Sequence, residues 1–494
     1  MKKYKKLALL VPTVLLCVSL AACQTSTSSS SSTSTSSSQT TSSSTTSQNS
    51  DYFSDTDLDS SYDASTAATI SLSGSSATVS GDGVSVDGST VTITSGGTYV
   101  ISGTSSDVQI RIAAADSDKV QLVLNGVTMT GSKALIAVES ADKTVITLAD
   151  GSTNKLTDST HSSDDENATI YSASDLTFNG SGSLTVEGNS ENAIKSKDDL
   201  KFTGGTYNIT STVKHALSAN DALNIVNSDM TLTSAEDAIH SDNDEDTSLG
   251  NIYIQSGNIT INAGDDGIHA SNNLVIDGGT IDVQSSVEGL EGKVITINDG
   301  QTSVTSSDDG VNATDWASTS GDMQSQDGVA LNITGGSLTV TADGDGLDSN
   351  GDINISGGTT YVNGPTDSGN AAFDYSGTAT ITGGTLVAIG SSGMAQGMNG
   401  DSSQASIMAN VSGSSGDKIV VTDSSGNEVL SYTASRSYGN ILISSADIKD
   451  GETYTITVNG SDSTTATAST TTEGSGMQGG PGGNGGGPGG GFGQ

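Results

Sequence analysis

The chain has 494 residues, with 57 Asp and Glu against 17 Lys and Arg and a net charge of −40. No basic patch is available to neutralise phosphates, so nucleic-acid binding is excluded, and charge-driven adhesion to anionic lipid is disfavoured. Hydrophobic residues are 32% and aromatics 4%, with 62 Gly and 4 Pro, which speaks against a helical bundle or a large globular core and for repetitive β-structure with many tight turns.

Residues 1–23 have the form of a secretory signal. Lys2, Lys3, Lys5 and Lys6 give a basic start, Leu7 to Leu20 an apolar stretch, and Leu20-Ala21-Ala22-Cys23 a bacterial lipobox. Lipidation of Cys23 would supply two acyl chains, enough for stable anchoring. The expected location is the extracellular face of the cell membrane. Cys17 and Cys23 are the only cysteines, so the folded part has neither a disulfide framework nor a thiolate metal site. Residues 24–62 begin as a run of Ser, Thr and Gln and are expected to form a disordered linker.

Residues 63–404 are dominated by an internal repeat. Acid or amide, Ala or Gly, aliphatic, polar, then a small residue recurs at Asn192-Ala193-Ile194-Lys195-Ser196, His215-Ala216-Leu217-Ser218-Ala219 and Asp237-Ala238-Ile239-His240-Ser241. It returns at Asp266-Gly267-Ile268-His269-Ala270, Glu288-Gly289-Leu290-Glu291-Gly292, Asp309-Gly310-Val311-Asn312-Ala313 and Asp345-Gly346-Leu347-Asp348-Ser349, then degenerates at Ala371-Ala372-Phe373-Asp374-Tyr375. Each copy is followed by a period-2 strand, a Gly-Gly turn and another strand, as in Leu274 to Val283. Three short strands in about 22 residues predict one coil of a parallel β-helix, right-handed by the general chirality of parallel crossovers. Loop insertions are expected at 242–250 and 314–328. A strand-rich start near 69–103 is expected to cap the solenoid. Residues 405–472 lose the period and predict a small antiparallel β domain, a cap or an appended sandwich. Residues 473–494 predict a disordered Gly-rich tail. The fold class is therefore all-β.

Coils stack about 4.8 Å apart, so the repeat predicts two columns along one edge. Asp237, Asp266, Glu288, Asp309 and Asp345 form the first, with Asp265 and Asp308 as neighbours; His240, His269, Glu291, Asn312 and Asp348 form the second. Like charges at this spacing repel and raise one another's pKa, and Lys293 is the only base between Lys214 and Lys418. A hard divalent cation with oxygen ligands, Ca²⁺, answers that repulsion; a solvated row of acidic turns is the alternative. His240 and His269 are candidates for contact with sugar hydroxyls, or else exposed histidines on a strand edge. Trp316, the only tryptophan, is either a sugar-stacking platform or a loop anchor.

The ordered series Asp265-Asp266-Gly267-Ile268-His269-Ala270, Glu288 to Gly292, Asp308 to Ala313 and Gly344 to Gly351, with Gly390-Ser391-Ser392-Gly393-Met394-Ala395 further on, resembles bacterial surface carbohydrate-binding domain-containing proteins over about residues 65–460. The resemblance implies a right-handed parallel β-helix similar to calcium-dependent pectate lyases, with calcium along one edge and binding of cellulose-like or acidic polysaccharide. It also implies Asp265, Asp266, Glu288, Glu291, Asp308, Asp309, Asp345 and Asp348 as calcium ligands. The expected function is thus a non-catalytic, calcium-dependent polysaccharide-binding lipoprotein acting as a monomer. Two alternatives stay open. One is an adhesin or wall spacer without a glycan ligand. The other is a polysaccharide lyase, which needs a base beside the calcium; Lys293 is the leading candidate, ahead of Lys195 and Lys214.

Overall fold

The structure, a computed structural model, describes residues 51–160, 166–319, 324–472 and 474. The signal segment with Cys23, the linker up to residue 50 and almost all of the Gly-rich tail lie outside the described residues. The helical content described is one short turn of helix, Asp55–Leu58, and the rest of the regular structure is strand.

The repeat sets the strand register. Ile194 pairs with Leu217, Leu217 with Ile239, Ile239 with Ile268, Ile268 with Leu290, Leu290 with Val311, and Val311 with Leu347, all parallel. A parallel bridge from Leu347 to Phe373 closes the series. The weaker repeat at Ala168–Ser172 joins above it through Ile170 and Ile194. A second stack runs through Leu223, Ile252, Leu274, Ile295, Leu331 and Ile353, and a third through Met230, Ile259, Ile281, Thr302 and Leu338. Alternate residues face inward. Ile268, Leu274, Ile276, Ile281 and Val283 of one coil are all buried in a single lengthwise core. A core one side chain wide explains how so few hydrophobic residues suffice.

Two kinds of glycine hold the coils together. In the Gly-Gly corners the second residue adopts positive φ, 89° at Gly279, 68° at Gly336 and 73° at Gly358, where other residues are strained. In the first motif the glycine is needed for room. A Cβ on Gly267 would lie 2.6 Å from the Gly289 carbonyl oxygen and 2.8 Å from Val283 Cγ1. Its own N–H donates to the Glu288 carbonyl of the next coil at 2.9 Å, and Gly289 and Gly310 repeat the bond to Asp309 and Asp345.

Both expected insertions leave from one corner. Residues 242–250 separate Ile239–Ser241 from Asn251–Ile254, and residues 314–329 separate Val311–Ala313 from Ala330–Ile333. They therefore flank the column that carries His240, His269 and Asn312.

The ends differ in part from expectation. At the start, Ala68–Gly74 pairs antiparallel with Ser76–Ser80 and parallel with Gly97–Ser106, seating a hairpin on the first coil. Residues 51–62, expected within the linker, instead pack along the outside of the solenoid. Phe53 is 3% exposed and Asp57 0%, and Tyr52 stacks on Tyr253 with ring centroids 3.7 Å apart. The two aromatics give this stretch an apolar anchor that its Ser-rich surroundings lack. At the other end, Lys418–Thr422, Glu428–Thr433, Thr453–Val458 and Asp462–Thr467 form a four-stranded antiparallel sheet. Asn440–Ser444, expected among these strands, pairs instead with Thr385–Gly390 and Ser406–Ala409 at the end of the solenoid sheet. Both its faces are apolar: Leu442 enters the solenoid core, while Ile441 and Ile443 join Ile419, Tyr454 and Ile456 in a second core.

Candidate functional site

The acidic first column is built by backbone hydrogen bonds between coils. Asp237 Oδ1 accepts from the Asp266 N–H at 3.0 Å, Asp266 Oδ1 from the Glu288 N–H at 3.3 Å, and Asp309 Oδ1 from the Asp345 N–H at 2.6 Å. Asp345 accepts in the same way from Ala371. One carboxylate oxygen of each of these aspartates is thereby fixed by the next coil. Asp265 and Asp308 precede these positions and are exposed on the outer rim, because neighbouring residues of an extended chain point opposite ways. They do not join the carboxylate clusters formed by the column.

The second column runs as expected. Ser218 pairs with His240, His240 with His269, His269 with Glu291, Glu291 with Asn312, and Asn312 with Asp348. Asp374 follows beside the Leu347–Phe373 bridge. The two columns interlock. His240 Nδ1 lies 2.7 Å from Asp237 Oδ2 and His269 Nδ1 3.3 Å from Asp266 Oδ2, with Glu291 on the same His269 nitrogen. Asn312 Nδ2 donates to Glu288 Oε2 at 2.9 Å.

Donor chemistry changes along this edge. The upper half carries imidazoles. His215, a member of the repeat that the sequence reading did not assign to the site, stacks on His240 at 4.1 Å and 7°, and His240 stacks on His269 at 5.0 Å. Trp316 continues the row at 6.5 Å from His269. It is 64% exposed, so it does not anchor its loop. The loop is braced by its neighbour Asp315, which takes an ion pair from Lys293 at 2.8 Å and donates its N–H to Gln326 Oε1 at 2.8 Å. The lower half has oxygen donors throughout. Asp266, Glu288 and Glu291 bring carboxylate oxygens within 4.8 Å of one another, and so do Asp345, Asp348 and Asp374. Asp374 was hidden in the degenerate last copy of the motif; its position in the repeat was the available signal.

Electrostatics divide the same way. Burial, and then the charge of His240, hold His215 neutral by lowering its pKa to about 3. Burial also opposes a charged His269, but hydrogen bonds to Asp266 and Glu291 overcome it and push the pKa up to about 10. Burial likewise works against the Asp237 carboxylate, yet the hydrogen bond from His240 brings its pKa down. Below Glu291 no imidazole compensates. Burial, reinforced by neighbouring carboxylates, pushes Glu288 up to about 8 and Asp309 and Asp345 up to about 7. Asp348 is pushed well above the carboxylate range by burial and by Asp309 and Asp345.

Similarity to known proteins can be set against this geometry. Residues 87–329 match the model of a family described as carbohydrate-binding domain-containing protein. A carbohydrate-binding domain-containing protein of Acetivibrio thermocellus is 40% identical over 135 residues, covering 26% of this chain and 47% of the relative. The match thus spans about half that relative's length. A solved structure, a polysaccharide lyase-like protein from C. thermocellum studied as a gadolinium derivative, is 32% identical and covers 48% of this chain and 94% of its own, with a TM-score of 0.42. The matched residues 87–329, which include His215 to Asp309 of the edge, are similar to the carbohydrate-binding domain-containing protein family.

Proposed function

We propose that the edge binds polysaccharide, with divalent calcium held along its lower half and the imidazoles and Trp316 meeting the sugar above. The observation that carries this reading is the unbroken series Glu288, Asp309, Asp345, Asp348 and Asp374, whose carboxyls are pushed upward by burial. Their donor set is oxygen and irregular in spacing, which suits a hard cation of flexible coordination. Asp345, Asp348 and Asp374 are the best-clustered group to hold one, and Asp266, Glu288 and Glu291 the next. Exposed Asp265 and Asp308 are left to the rim. Bound calcium would supply positive charge for a sugar carboxylate that the bare edge repels. Lys293 is committed to an ion pair with Asp315 that braces the Trp316 loop, which favours binding without catalysis.

Binding to the native state adds about 2.7 kcal/mol at a hundredfold excess of ligand over Kd. Calcium should therefore raise the melting temperature at constant ionic strength, and chelator should reverse it. Asp345→Asn with Asp348→Asn should abolish most of the rise, while Asp447→Asn should leave it intact. A glycan array probed with and without chelator should show calcium-dependent binding of acidic polysaccharide. No calcium-dependent change in either measurement would defeat the reading. Release of unsaturated uronide from the bound glycan would replace binding with lyase chemistry.

We also propose that the protein is displayed outside the cell on a lipid attached to Cys23. Cys23→Ala should release it from the membrane fraction or leave it unprocessed; unchanged processing and retention would count against lipidation.

A further inference from the structure

The upper end of the edge opens into a cavity of about 630 Å³ whose lining has a different character. One wall carries Lys195, Lys197 and Lys214. In a chain with 57 acids and 17 bases, most lysines meet a carboxylate by chance alone. Lys214 reaches Glu191 at 3.4 Å, but Lys195 and Lys197 have no carboxylate within ion-pair distance among the described residues. Lys195 lies in the second column, in register with Ser218 below it. The small Ser218 side chain leaves the space between Lys195 and His240 that forms the cavity. Burial and the charges of Lys197 and Lys214 together lower the pKa of Lys195, so the cluster stands at an electrostatic cost that an anion would relieve.

Two further observations point to a ligand rather than to a solvated basic patch. Asn192, 1% exposed, lines the cavity with an Oδ1 that has no hydrogen-bond partner among the described residues, while its Nδ2 donates to the Asn167 carbonyl at 3.0 Å. A buried acceptor without a donor is costly and uncommon, and a hydroxyl would satisfy it. The 242–246 insertion also lines the cavity, pinned by the bond from Asn243 Nδ2 to Asp221 Oδ1 at 2.7 Å. Its carboxylates accept hydrogen bonds and repel anions. The cavity therefore offers both cations and hydrogen-bond acceptors.

We propose that this cavity is a saccharide subsite that takes a uronate unit directly, its carboxylate against Lys195 and Lys197 and its hydroxyls toward Asn192 Oδ1 and Asp221, without a bridging metal ion. The subsite rests on the polysaccharide-binding reading above but not on its calcium. Charge-assisted hydrogen bonds to carboxylate are strong but are weakened by salt where solvent reaches them.

The test is calorimetric titration of the full chain with trigalacturonate, in chelator and again in calcium. The expected result is binding in chelator that weakens with added salt. Lys195→Met with Lys197→Met should weaken it by about tenfold or more, and carboxyl-reduced trigalacturonate should bind correspondingly less. Asp345→Asn with Asp348→Asn should leave it unchanged. Binding in calcium but none in chelator would overturn the subsite and leave the calcium edge standing; binding in neither would remove both. Binding in chelator that survives the double lysine replacement, or sulfate competing as well as the sugar at equal concentration, would also overturn it. Unchanged melting temperature in the methionine variant separates lost binding from lost fold.

Discussion

In chelator, the protein should become less stable as pH rises from 5 to 8.5, the reverse of ordinary acid denaturation. Glu288 titrates at about 8 and Asp309 and Asp345 at about 7 in the folded chain, against about 4 for unfolded carboxyls. The fold thus favours their protonated forms. Their contribution to stability is fully present below about pH 4 and is lost as pH climbs through 7 to 8. Each pKa unit corresponds to about 1.4 kcal/mol, so the three together carry on the order of several kcal/mol. His269, pushed up to about 10, acts in the same direction. Calcium should reverse the trend, because it favours the ionised carboxylates. The gap between calcium and chelator melting curves should be small at pH 5 and widest at pH 8.5. Scanning calorimetry across that range checks both curves; a chelator curve that is flat or rises with pH would show that the column is solvated and carries no such strain.

Replacing Asp57 should detach the 51–62 segment. Asp57 is buried, and its Oδ1 meets Lys143 Nζ and Thr177 Oγ1, each at 2.7 Å, while Oδ2 takes the Ser54 hydroxyl at 2.7 Å. Burial disfavours its charge, but the bond from Lys143 and those from Thr177 and Ser54 win, and the pKa falls to about 2. Its stabilisation is present above about pH 4 and is lost as pH falls toward 2. Asp57→Ala removes the nearer carboxylate from buried Lys143 and leaves it only the longer contact to Asp175 at 3.5 Å, at a cost of up to about 3–5 kcal/mol for breaking one side of such a pair. The cost falls on the segment before the solenoid, since coils hold one another by separate contacts. Limited proteolysis should then cut within residues 51–62 while the remainder resists, and hydrogen exchange should rise there alone. Adding Lys143→Met should recover much of the loss, because an apolar pair of similar volume avoids the stranded charge. Equal protection of the segment in wild type and Asp57→Ala would mean that Tyr52 and Phe53 hold it unaided.

The solenoid was legible because its information is local and repeated. A small residue every coil, Gly-Gly at the corner and period-2 strands between them leave few ways to stack, so the placement of Asp266 beside Glu288, or His240 beside His269, followed from counting. The roles of neighbours within a copy were less legible. Asp265 and Asp266 read alike in sequence, yet backbone direction turns one to solvent and fixes the other on the next coil. Long-range partners without a period left little trace. Tyr52 and Phe53 sit in a polar stretch and find Tyr253 some 200 residues away. Asn440–Ser444 looked like its antiparallel neighbours, although its apolar residues on both faces were a sign of burial between two cores. The lysine cavity needed Lys195, Lys214 and the 242–246 insertion brought together from different coils. No single copy of the repeat displays that combination.

The glycines of the first motif have a bearing on how such a protein can change. Because Gly267, Gly289 and Gly310 pass their N–H groups to the carbonyls of the following coil and have no room for a methyl group, single replacements at these points meet the neighbouring turn. Duplicating or deleting a whole turn meets nothing new, since the fresh surfaces carry the same bonds in the same register. The edge can therefore lengthen or shorten only in steps of one coil, each adding one residue to either column. The natural variable of this architecture is the number of such steps, and under the proposed function the span of polymer it would match changes in whole increments rather than by gradual reshaping of a pocket.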